Sequence, residues 1–204
     1  MNKLYSVIAT LVTVVGFNPY LALGTPHTTT IVQAQTNQNR PKKLTSTEIQ
    51  QVRRALPKKE IITEQAFKIY LPDFGDCFFV PVEENSPSPK LSLYLVKNNK
   101  VIYTFPKWKQ AQPWNFLEIK AVSFPELHFD GPDIDGVLLI ADYYAGAGGP
   151  GISKPFPVTI LYEIVDGKKL IKVLEKESNT LTKRQVKSIA QAEKILRDEF
   201  QYLP

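Results

Sequence analysis

Short runs of alternating apolar and polar residues, the turn pairs that separate them, and a helical stripe near each end predict a β-rich α+β fold. Antiparallel hairpins form one β domain, preceded by a short helix and followed by a C-terminal amphipathic helix. With 43% hydrophobic and 22% charged residues, the 204-residue chain has the composition of one ordinary globular domain. Three segments are expected: 1–34 as a signal peptide, 35–59 as a basic flexible arm carrying the short helix, and 60–204 as the β-rich domain.

Met1-Asn2-Lys3 is a short basic start, and the apolar run from Leu4 to Phe17 has the length of the apolar region of a secretory leader, short for a bilayer span. Small residues offer cleavage after Gly24 or after Ala34, with Ala34 preferred; an uncleaved N-terminal anchor is the other reading. Cleavage predicts a periplasmic or secreted protein with no membrane span left. Cys77 is the only cysteine and lies far from both sites, so neither lipid attachment there nor an internal disulfide is expected. Its setting, FGDCFFVP, reads as a strand entering the core.

Gln35 to Lys43 is rich in Gln, Asn and Pro and reads as a tether. Thr45-Ser46-Thr47-Glu48 then caps a helix that runs to Leu56, before Pro57. Strands are predicted over 67–71, 77–82, 91–96, 101–105, 116–122, 137–143, 158–165 and 170–174. Asn98-Asn99 and Asp166-Gly167 suit hairpin turns because both pairs tolerate positive φ. After Asn179-Thr180, the residues Val186, Ile189, Ala192, Ile195, Leu196 and Phe200 recur at near-helical spacing and predict a helix packed on the sheet.

Charge is unevenly placed. Residues 40–59 carry seven basic side chains against Glu48 alone, whereas from Glu60 onward seventeen basic face nineteen acidic ones. The basicity therefore belongs to the arm, and a nucleic-acid partner is not expected. Contact with an anionic surface and a solvated charge run are both compatible with it.

The most informative stretch is Ile119 to Tyr144, where an acid-rich loop with two glycines joins two apolar runs. Calcium takes six to eight oxygens, and carboxylates at alternate positions with glycine at the sharp turn supply them. Glu126, His128, Asp130, Asp133 and Asp135 are the candidate ligands, and a solvated acidic turn is the competing reading. The stretch resembles the FG-GAP/VCBS-like domains of exported bacterial proteins, whose loop runs F-x-D-x-N-x-D-G-x-x-D ahead of a branched apolar strand. The matching residues are Phe124, Glu126, His128, Asp130, Gly131 and the run Val137 to Ala141, and the likeness extends over about residues 90–175. Glu and His stand where the pattern has Asp and Asn, and two residues are inserted before the strand. The resemblance implies a β-rich fold, calcium as the bound ion, and a protective role as an inhibitor of wall-degrading enzymes.

Gly146 to Gly151 matches G-x-G-x-x-G, but Pro155 and Pro157 rule out the helix that a dinucleotide site requires, so a broad loop is expected. Tyr143, Tyr144, Gly146, Gly148, Gly149, Gly151 and Phe156 form the candidate partner-binding surface, with a structural lid as the alternative. Only His27 and His128 are present and no nucleophile motif accompanies them, so no catalytic residue is assigned. Trp108 and Trp114 suit either a core plug or a sugar-stacking platform. The function expected is a non-enzymatic exported binding domain, with a protein or cell-wall component as partner. The alternative is a carbohydrate-directed hydrolase or binding protein using the tryptophans and the acids from Glu126 to Asp142.

Overall fold

The computed structural model describes residues 40–111, 114–127, 134–145 and 154–203. The expected leader, its cleavage sites and His27 lie outside them. The chain has an α+β fold with two antiparallel sheets and helices near both ends. The first sheet holds β1 (Lys42–Lys43), β2 (Glu60–Ile61), β3 (Phe67–Leu71), β4 (Gly75–Glu84), β5 (Lys90–Lys97) and β6 (Lys100–Thr104) in the order β1-β3-β4-β5-β6. β2 pairs with the far end of β4, beyond the reach of β3. The second sheet, in the order β10-β9-β8-β7, holds β7 (Trp114–Ser123), β8 (Gly136–Ala145), β9 (Phe156–Val165) and β10 (Leu170–Val173).

Each predicted strand is present, and several extend beyond their predicted ends. Asn98 and Asn99, with φ of 51° and 59°, make the left-handed pair that a two-residue hairpin between β5 and β6 requires. The β9–β10 connection is longer than the Asp-Gly pair suggests. It spans Asp166 to Lys169, with positive φ at Gly167 and Lys169, because the Asp73 carboxylate on another turn accepts from both Lys168 and Lys169 N–H. Pro81 interrupts no ladder. Its carbonyl accepts from Ile62 N–H at 3.0 Å, so the nitrogen without a proton faces the handover from β3 to β2 rather than β5.

The inner faces of the sheets meet in one core. Ile69, Cys77, Phe79, Leu93 and Leu95 come from the first sheet and Phe116, Leu139, Ala141, Ile160 and Ile164 from the second. Helices cover both outer faces. α1 (Ser46–Ala55) lays Val52 and the following Leu56 on Phe78, Val80, Val82 and Val96. Its start is a capping box: Thr45 accepts from Glu48 N–H at 3.3 Å and Glu48 accepts from Thr45 N–H at 2.9 Å. Residues 40–59, expected as a flexible arm, are thus built into the body. The four-residue spacing of Val52 and Leu56 gives α1 an apolar face worth about 1.5–3 kcal/mol per buried side chain.

The second sheet is covered by α2 (Glu175–Lys183), α3 (Ile189–Ile195) and a π-helical turn at Leu196–Phe200. Leu181, Val186, Ala192, Leu196 and Leu203 pack on Leu138, Ile140 and Leu161. One helix after Asn179-Thr180 was expected; instead those two residues lie inside α2, and the chain turns at Gln185 with φ of 52°. Ser188 then caps α3 by accepting from Gln191 N–H at 3.2 Å.

α2 has a second role at the edge of β9. β10 pairs only with residues 162–165, which leaves the earlier half of β9 without a strand on that side. The Thr182 hydroxyl accepts from Thr159 N–H at 3.0 Å and donates to Thr159 O at 3.1 Å. Ser178 Oγ accepts from Leu161 N–H at 3.0 Å, and Leu174 N–H donates to Leu161 O at 2.8 Å. Side chains four apart on one helix therefore replace the missing strand.

Candidate functional site

The chain crosses from the first sheet to the second through Phe105 to Ala111. Phe105 N–H still donates to Leu93 O at 3.0 Å, extending the β5 ladder, and Ala111 N–H closes a 3₁₀ turn on Trp108 O at 3.1 Å. Trp108 is 2% exposed, and its indole N–H donates to Glu175 at the start of α2 at 2.6 Å. Its ring meets Trp114 edge-on at 6.3 Å, and Trp114 meets Phe156 at 5.0 Å. The tryptophans are a plug between layers, and neither face of Trp108 forms an open sugar platform.

Beneath this segment is a cavity of about 250 Å³ between the sheets. Leu93, Phe105, Trp108 and Ile160 supply apolar walls, and Lys90, Ser92 and Lys107 form a polar end. Lys107 is exposed and Lys90 half-buried, so the opening lies on their side. Lys107 pairs with Glu84 at 3.1 Å, and the buried Ser92 hydroxyl donates to the same carboxylate at 2.5 Å. Ser92, with Lys107 beside it, holds the Glu84 carboxyl below the usual range. Lys90 Nζ donates to Trp114 O at 2.7 Å and Phe116 N–H to Pro89 O at 2.8 Å, which fixes the start of β5 against β7.

Tyr143 on β8 and Tyr162 on β9 also line the cavity and are 4% and 3% exposed. Burial pushes both phenols above their ordinary range, and Tyr143 raises Tyr162 further. Neither hydroxyl has a hydrogen-bond partner among the described residues. They are not sealed in the packing either: the sealed, unpartnered side-chain atoms among the described residues are Thr159 Oγ1 and Asn179 Oδ1.

The sequence-predicted sites fall elsewhere. Glu126 is exposed and Asp135 half-buried at the neck of the acidic loop; His128, Asp130 and Asp133 lie outside the described residues. Asp135 Oδ1 accepts from Leu127 N–H, while Gly136 N–H donates to Pro125 O at 3.1 Å and Ile164 N–H to Asp135 O at 2.7 Å. This carboxylate closes the neck. Among the described residues no three His, Cys, Asp or Glu side chains converge as metal ligands. The described part of the loop thus supplies a structural acceptor at Asp135 and one free-standing acid at Glu126, and a full calcium shell needs the three remaining candidates.

On the candidate partner surface, Gly146, Gly148, Gly149 and Gly151 lie outside the described residues. Tyr143 and Tyr144 are buried and Phe156 is half-buried against Trp114. Inward alternation along β8 puts Tyr143 in the core with Phe116, at a ring distance of 5.7 Å, so its ring is not contact area. The acidic and glycine-rich connections leave opposite ends of β8, ten residues or about 33 Å apart. Sequence reading missed Ser92, Lys90, Lys107 and Tyr162. The one signal was a tyrosine in register with Ile160 and Ile164 on an otherwise apolar inner face. Comparison with known proteins gives no match for this chain among protein families, curated proteins or solved structures.

Proposed function

We propose that this chain is an exported binding domain that holds a small ligand between its two sheets. The observation that carries the reading is a cavity of about 250 Å³ between the sheets, largely apolar in its lining, with two tyrosines and two lysines among the lining residues. A mostly apolar pocket with a few polar groups in its lining is the form that small-ligand sites take. The lining suits holding rather than turnover: phenols raised above their ordinary range stay protonated donors. The inter-sheet site favours this reading over a wall-enzyme inhibitor, whose contact surface was to use the rings of Tyr143 and Tyr144. Export rests on the leader, and cleavage after Ala34 leaves every described residue in the mature chain. In this reading the acidic loop is a calcium-held brace, as the resemblance implies. About millimolar calcium added after EDTA then raises the Tm of the wild type and not of Asp130→Ala; an unchanged wild-type Tm reduces the loop to a hydrogen-bonded turn.

The test of ligand binding is the Tm of the full chain with benzoate, 4-hydroxybenzoate, 4-hydroxybenzyl alcohol and glucose at millimolar concentration. At least one ring compound is expected to raise Tm saturably. Ala111→Leu, which grows a side chain into the cavity, should abolish the rise. No shift with any of the four would overturn the proposal.

A further inference from the structure

We infer that the α1 side of the first sheet docks on an anionic lipid surface, its basic side chains meeting the headgroups and Tyr70 and Val101 entering the interface. This face is separate from the cavity, and the inference does not rest on ligand binding. Strand register fixes which residues share it. Residues directly opposite on neighbouring strands point to the same side, and one row runs Lys42, Lys68, Phe78, Val96, Val101 from β1 through β3, β4 and β5 to β6. Phe78 and Val96 pack under Val52 and Leu56 of α1, so the row lies on the outer side. The helix covers its middle and leaves two lysines at one end and Val101 at the other. Alternation along β3 puts Tyr70 on the same side as Lys68, with Ile69 and Leu71 turned into the core.

Charge sets the sign of the partner. Lys42, Arg53, Arg54, Lys58 and Lys68 are all exposed. Among the described residues, the side chains of the first four make no hydrogen bond or ion pair. Carboxylates on this side are few and mostly engaged. Glu48 is drawn into the cap at Thr45 and lies 3.7 Å from Lys68, Glu84 pairs with Lys107, and Asp76 stands opposite Tyr70. A surface of unpaired cations attracts an anionic one.

Exposed apolar side chains decide between lipid and a hydrated polyanion. Only four large ones are exposed among the described residues, and two of them, Tyr70 at 36% and Val101 at 38%, are on this face. A third, Ile102, follows Val101 at the bulge in β6. A hydrated polymer gives such groups nothing, whereas a bilayer interface accepts a phenol ring and aliphatic side chains beside basic ones. No helix among the described residues is long and apolar enough to cross a membrane, so the contact inferred is with the surface.

Sedimentation of the full chain with vesicles of phosphatidylcholine, alone or mixed with phosphatidylglycerol, tests this assignment. Partition onto the mixed vesicles should be about tenfold stronger at low salt, and about 0.5 M salt should erase the difference. Arg53→Gln, Arg54→Gln and Lys58→Gln combined should remove most of that preference at little change in Tm, because exposed, unpaired charges add little to stability. Lys183→Gln with Lys187→Gln, exposed beside the helices over the other sheet, should leave it intact. The apolar N-terminal run is common to every variant and produces no difference between them. Tyr70→Ser with Val101→Ser should weaken partition at every salt concentration. Equal partition onto both kinds of vesicle, or equal loss from the two sets of charge variants, would overturn the docking face. Loss with the α1 variant but none with Tyr70→Ser and Val101→Ser would overturn lipid as the partner in favour of a hydrated polyanion.

Discussion

Thr182→Val isolates the edge replacement on β9. Valine keeps the shape and β-branching of threonine, so helix propensity and packing volume change little, and what is lost is the hydroxyl. That hydroxyl satisfies both backbone groups of Thr159, at 3.0 and 3.1 Å, in a residue with no exposed surface. Leaving a buried N–H and a buried C=O without partners costs about 1–3 kcal/mol each, and burying an added methyl returns roughly 0.8 kcal/mol. The net loss expected is about 2–3 kcal/mol, or roughly 5–10 °C in Tm for a domain of this size. Urea unfolding followed by far-UV circular dichroism reads it as a lower midpoint at unchanged slope. Thr180→Val is the control. Its hydroxyl donates to Lys176 O within the same helix, at 2.9 Å, and the change should stay within about 0.5 kcal/mol. A Thr182→Val loss no larger than that of the control would refute the claim that α2 acts as the missing strand.

Glu48 lies below its ordinary value of 4.5 because Thr45 N–H donates to it, with Lys68 adding at 3.7 Å. Its folded value is below its unfolded one, so its contribution is full above about pH 5 and fades as pH falls through the folded value. Glu48→Gln keeps the cap but not the charge; it should cost about 0.5 kcal/mol at pH 7 and nothing near pH 2, and a gap that persisted in acid would sink the assignment. Gly136→Ala places a Cβ at 2.8 Å from Leu127 Cγ and 2.9 Å from its Cδ1, and should cost about 1–3 kcal/mol in urea unfolding; an unchanged midpoint would mean that Leu127 swings aside. Burial pushes the Cys77 thiol up to about 12, so the native chain should not react with a disulfide reagent at pH 8 and should react fully in denaturant. Rapid native reaction would contradict the core position of β4.

The strands were legible because period-two alternation, Gly, Pro and Asn pairs mark them locally, and α1 because Thr45 and Glu48 stand at capping-box spacing before Val52. α2 was not, for a physical reason. Its buried residues are Glu177, Ser178 and Leu181, so its inward side is mostly polar and serves the β9 edge rather than an apolar face. Apolar periodicity cannot find such a helix. The packing of α1 was hidden in a related way: among residues 40–59, seven basic side chains and Glu48 surround Val52 and Leu56, the two apolar residues that anchor it. The cavity was least legible, since it is assembled from β5, the crossing segment, β8 and β9. Nothing in the spacing from Lys90 to Tyr162 shows that these residues share one space.

Both sheets are built from neighbours in sequence. The first six strands and their helix precede Ala111, and the last four strands with α2 and α3 begin at Trp114. Strand pairing therefore stays within each half of the chain. The faces that join them are another matter. During synthesis the first half emerges with Ile69, Phe79, Leu93 and Leu95 uncovered, and they stay so until β8 and β9 arrive. A chain arrested at the crossing segment would thus have a finished exterior and an open, adhesive interior. Folding only after the whole chain has been released spares it that intermediate.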